Sequence, residues 1–157
     1  MARVNQTGVD PRIAILLDQL DYAFDKPAWH GPNLASSLRG IDHRAAAVSL
    51  SDRKSIWEQA LHAAYWKQRV VNKLIGTQKF PRRGSNWPPM PESRTAKAWR
   101  DDMQLLHDIH AALRRAVEQL ERSRLDVKTI KLIIGAAAHD NYHTGQIKLL
   151  RRMLPER

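Results

Sequence analysis

Apolar side chains recur along this chain in steps of three and four, and the breakers between those runs divide it into four long helical segments. Ile13, Leu16, Leu17, Leu20 and Phe24 fall on one helical face behind Asp10-Pro11, a start signal in which proline takes the first helical position. Pro27, Gly31, Pro32 and Gly40 then interrupt residues 26–50, which read as a crossing connection with one short helical turn around Asn33 to Leu38. Ser51 is the expected cap of a second helix, with Trp57, Leu61, Ala64, Val71 and Leu74 as its seam and Gly76 as its stop after Ile75. Pro81, Gly84, Pro88, Pro89 and Pro91 exclude regular structure as far as residue 91. From about Glu92 to Arg122, a third helix carries Trp99, Met103, Leu106, His110, Leu113, Val117 and Leu120 at alternating steps of four and three. Asp126 is the expected cap of a fourth helix running to about Leu154.

No segment alternates like a strand and none repeats another, so the expected fold is all-α, a four-helix bundle with two long connections. At 157 residues the chain is one domain's worth, 1–157, enough for a single core. It has no cysteine, so a metal would have to be held by histidine and oxygen, and sulfur chemistry would have to come from a substrate. No apolar run approaches the ~20 residues that span a bilayer, and MARVNQTGVDPR lacks the apolar stretch of a signal peptide, so the expected setting is cytoplasmic, with no membrane partner. The net charge of +10 favours anionic partners. Much of it, however, sits near helix ends, at Arg114, Arg115, Arg122, Arg124, Lys148, Arg151, Arg152 and Arg157, where cations complement the helix dipole. Nucleic acid is therefore the minor reading.

The candidate chemistry lies in histidines. His139 and His143 stand four apart on the fourth helix, where two side chains are only about 40° apart and can face one ion. Such spacing also arises by chance, and both residues could be polar breaks in a buried stripe. Gly135, Ala136, Ala137 and Ala138 precede the pair and would let a neighbouring helix come close. His62 lies on the edge of the second helix's apolar face, one turn after Glu58 and one before Trp66; by pattern alone it reads first as a half-buried histidine bonded to Glu58. Asp140 is a partner to the site or a solvated acid rather than a protease base, and Gln146, seven residues from His139, shares its face. His110, on the third helix's seam, reads first as a core histidine and second as an extra ligand, and His43 and His107 read as surface residues. Trp57 and Trp99 read as core, Trp66 and Trp87 as pocket lining, and His30 beside Gly31 as a candidate for the pocket mouth.

HDNYHTGQI on the last helix, LHAAYW on the second, WHG at Trp29 to Gly31 and the Trp87-Pro88-Pro89 loop together resemble the DinB/YfiT-like superfamily of metal-binding four-helix bundles, along nearly the whole chain. The resemblance implies an up-down-down-up helix order, two metal ligands at His139 and His143, and the third at His62. It further implies a divalent cofactor, zinc or nickel, and a metal-dependent enzyme that activates water or a low-molecular-weight thiol co-substrate in hydrolase or S-transferase chemistry on a small-molecule substrate. A homodimer is the expected assembly. The alternative is a basic helical module that binds nucleic acid or a stress-response partner without turnover.

Overall fold

The computed structural model describes residues 10–154; residues 1–9 and Arg157, counted above in the leader and charge readings, lie outside that range. Asp10 accepts a hydrogen bond from the Arg12 amide and Pro11 follows it, so α1 (Pro11–Phe24) begins where its start signal predicts. Asn33 caps the short α2 (Leu34–Leu38) in a reciprocal capping box with Ser36, and Asp42 caps α3 (His43–Ala46), a turn that apolar spacing does not announce.

The second long helix, α4 (Ile56–Ile75), starts four residues later than the Ser51 cap implies. Ser55 is the cap, its side chain accepting from the Glu58 amide while Glu58 reaches back to the Ser55 amide. Ser51 instead holds a left-handed backbone, φ 54, in the preceding turn. Likewise α5 (Ala96–Glu118) begins behind a Thr95 cap rather than at Glu92, and Arg122 belongs to a separate 3-10 turn (Arg122–Arg124). Asp126 caps α6 (Val127–Met153) as expected.

Six helices and no strand make up the described residues, so this part of the protein is all-α. Of the long helices, α1 lies against α6 and α5, and α4 against α5 and α6, closing a ring of contacts; α2 covers α6 and α3 covers α4 and α5. No helix among the described residues is long and apolar enough to cross a membrane.

The apolar interior has two parts. One gathers Leu34, Trp57, Leu61, Trp99, Leu106 and Ile147; the other gathers Leu16, Leu20, Val71, Leu74, Leu113 and Ile133. Buried Lys67, His110, Asp140 and Asp21 belong to neither. Lys67 on α4 pairs with Asp140 on α6, and its ammonium lies 3.3 Å from His110 Nδ1 on α5. On α1, Asp21 takes Lys26 and Arg114, the latter at 2.5 Å. His110 is buried, as a core histidine should be, and stacks on Phe24 with ring centres 3.8 Å apart. Burial, then the charges of Lys67 and Arg114, push its pKa down to about 2, so it is neutral. Of the small residues before His139, Ala136 and Ala137 face inward, whereas Gly135 and Ala138 are exposed.

Candidate metal centre

Four residues separate His139 from His143 on α6, and α4 crosses so that His62 meets them both. His139 Nε2 stands 3.1 Å from His62 Nε2 and 3.1 Å from His143 Nε2. Nitrogen ligands held 2.0–2.1 Å from one ion at tetrahedral angles stand roughly 3.3–3.4 Å apart; the two separations from His139 are slightly shorter than that, and ligand atoms of all three residues lie within 4.8 Å of one another.

The outer nitrogens decide what those three atoms are. His62 Nδ1 lies 2.6 Å from the Asn86 carbonyl oxygen, and His143 Nδ1 lies 2.5 Å from Gln59 Oε1. Each oxygen accepts, so each Nδ1 carries the proton, and the Nε2 atoms of both rings present lone pairs. A proton on His139 Nε2 can serve one of them. The remaining contact would set two lone pairs face to face, and a cation at the centre removes that conflict. Burial pushes the imidazoles down, His143 to about 3 and His139 to about 4, with neighbouring ring charges adding to the effect. His62 is lowered by burial too, opposed by its bond to Asn86. All three are thus in the unprotonated form a metal needs.

Local sequence explains the clasp. Residues 76–95 carry no helix, and Asn86 sits there at φ 53, a left-handed conformation that asparagine tolerates better than most residues. That backbone turns its carbonyl onto His62, while its side chain accepts from Trp66 Nε1 at 2.9 Å. Trp87 follows and stacks on the His62 ring, centres 3.8 Å apart and planes within 15°. Gly84 is needed nearby, because its φ is 84 and a Cβ there would lie 3.0 Å from Pro89 Cδ.

Of the residues singled out from sequence, His62, His139, His143, Trp66 and Trp87 therefore come together. Gln146 joins Trp87, Tyr142, Arg53 and Lys54 around a hollow of about 170 Å³ beside His143. Glu58 does not bond His62; it is taken by Ser55 and Lys54 in the helix cap. His30 stands apart from the triad, exposed in its turn and lining a separate hollow with Gln19, Tyr22 and Asn141. Asp140 points away from the three nitrogens into the buried pair with Lys67. Burial raises its carboxyl and the Lys67 charge opposes the rise. Sequence reasoning missed Gln59 and Asn86. Gln59 was findable, lying three residues before His62 on the same helix face, but Asn86 acts through its backbone and leaves no side-chain signal.

No protein-family model, no curated protein and no solved structure matches this chain.

Proposed function

We propose that the chain is a DinB/YfiT-like four-helix bundle that binds a divalent metal, zinc or nickel, through His62, His139 and His143, and acts as a metal-dependent enzyme on a small molecule. The observation that carries this reading is the pair of lone-pair-bearing Nε2 atoms, each 3.1 Å from His139 Nε2, with both outer nitrogens tied to oxygen acceptors. Three imidazoles with no fourth ligand beside them among the described residues suit a catalytic site with one open position more than a closed structural one. A bound divalent ion would supply Lewis acidity, making the anion of water or of a supplied thiol accessible near pH 7.

The protein's own residues do the rest. Gln59 and Asn86 fix the tautomers, Trp87 covers one face of His62, and the hollow beside His143 offers Arg53 and Gln146 to a polar co-substrate. With no cysteine in the chain, a thiol reaction must draw its sulfur from that co-substrate. The test is metal analysis of protein dialysed against zinc or nickel at pH 7.5, followed by a screen of small thiols with electrophiles and of ester and amide substrates. One equivalent of metal in the parent and none in His139→Ala is expected. Equal retention by both would refute the three-histidine site.

A further inference from the structure

His139 has a second neighbour besides the other two imidazoles. Between α4 and α6 runs a cavity of about 280 Å³, and His139 and the partly exposed Trp66 are among the residues that line it. Its walls are Val70 from α4 and Leu132, Gly135 and Ala136 from α6, with Lys131 at the rim. The polar atom of Lys67, which also borders it, is engaged by Asp140. The cavity therefore offers an incoming molecule almost only apolar surface.

One lining residue leaves room to alter it. Gly135 borders the cavity, and a Cβ built there meets nothing within 4 Å, so α6 faces open space at that point and a larger side chain would project into it. A glycine inside a helix costs about 1 kcal/mol relative to alanine, and here neither a positive φ nor a close backbone approach requires it. Room for a ligand is a reason to have it.

The geometry points to this groove as the apolar subsite of the histidine centre: it receives the acyl or alkyl body of the substrate, whose reacting group then lies at His139. This rests on the metal reading above. The volume is near the lower end for small-molecule pockets, so the body is a short chain or a single ring rather than a long lipid. The separate hollow beside His143, lined by Arg53 and Gln146 among others, is left for the polar partner. The substrate class is thus a small molecule with one apolar arm and a polar group at its end.

Straight-chain carboxylates probe both halves separately, because the carboxylate seeks the ion and the chain seeks the groove. Acetate, butyrate, hexanoate and octanoate are titrated into zinc-loaded protein by calorimetry, alongside Gly135→Leu and Gly135→Ala. In the parent, affinity should rise about fourfold per added methylene until the groove is full. Gly135→Leu should keep its zinc and its acetate affinity yet lose the rise with chain length. Gly135→Ala should keep the rise but weaken octanoate, and it serves if the leucine variant does not fold.

A flat series with zinc bound, or an equal rise in Gly135→Leu, overturns the groove alone. Failure to retain zinc overturns the metal reading instead, and the groove's assignment with it. If a second copy of the chain closes the groove, the parent will be dimeric by light scattering, the series flat, and Gly135→Leu altered in mass; that result also overturns the inference.

Discussion

Replacing Lys67 by methionine isolates the largest electrostatic commitment in the interior. Lys67 is 1% exposed and Asp140 fully buried, and each is the other's ion-pair partner. Methionine conserves most of the volume and removes the charge, leaving a carboxylate with Oδ1 already lacking a hydrogen bond. Breaking a buried pair by deleting one member costs about 3–5 kcal/mol, against about 0–1 kcal/mol for an exposed pair. For a chain of this length that corresponds to a fall of roughly 6–20 °C in Tm. Circular dichroism melts of parent and variant, both with chelator so that metal does not enter, would measure it.

The pH dependence gives a second arm. Without Lys67 the folded pKa of Asp140 rises further above its unfolded value, so the folded state holds the proton more tightly and the variant's deficit should shrink as pH falls from 7 to 5. Adding Asp140→Leu should recover most of the loss at every pH. A deficit below about 1 kcal/mol, or one that does not change with pH, would refute the account of this pair as a dry, mutually dependent unit.

The other expectations concern the centre and its loop. Gln59→Ala removes the acceptor of His143 Nδ1 and should weaken zinc binding about 10–100-fold, read by competition with a chromogenic chelator; unchanged affinity would mean that the tautomer needs no support. Metal-free protein should lose stability as pH falls, because the triad's folded pKa values lie below their unfolded 6.5, toward about 4 for His139 and about 3 for His143. The contribution is complete above pH 6.5 and shrinks below it, so a Tm that stays level from pH 7.5 to 4.5 would contradict the burial of these rings. Gly84→Ala should cost about 1–2 kcal/mol through left-handed strain and contact with Pro89, and a melt identical to the parent's would show that the loop relaxes freely.

The long helices were legible because their burial follows the three-and-four spacing: Leu16 and Leu20 on α1, Leu61 and Val71 on α4, Leu106 and Leu113 on α5. Their ends were less so. Ser51 and Ser55 are both competent caps, and what selects Ser55 is the reciprocal bond to Glu58, three residues on, which assigns Glu58 to the cap rather than to His62. On α6 the stripe is broken by Asp140, His143 and Thr144, all buried, so periodicity alone could not separate ligand from core. His139 and His143 were visible as a pair, yet their meeting with His62 across 77 residues depends on how α4 crosses α6, which spacing within a helix does not encode. The apolar groove was hidden for a related reason: its lining comes from two helices, and Gly135, which borders it, reads in sequence as a means of close helix packing rather than as part of an opening.

The Asn86 carbonyl and the Trp87 indole grip His62 from a segment with no helix of its own. Whatever stabilises that ring in its observed pose favours the segment's pose in turn, because the coupling free energy between the two is reciprocal. Saturating the centre with zinc should therefore slow amide exchange and proteolysis around residues 84–90, more than ten positions along the chain from the nearest of the three imidazoles.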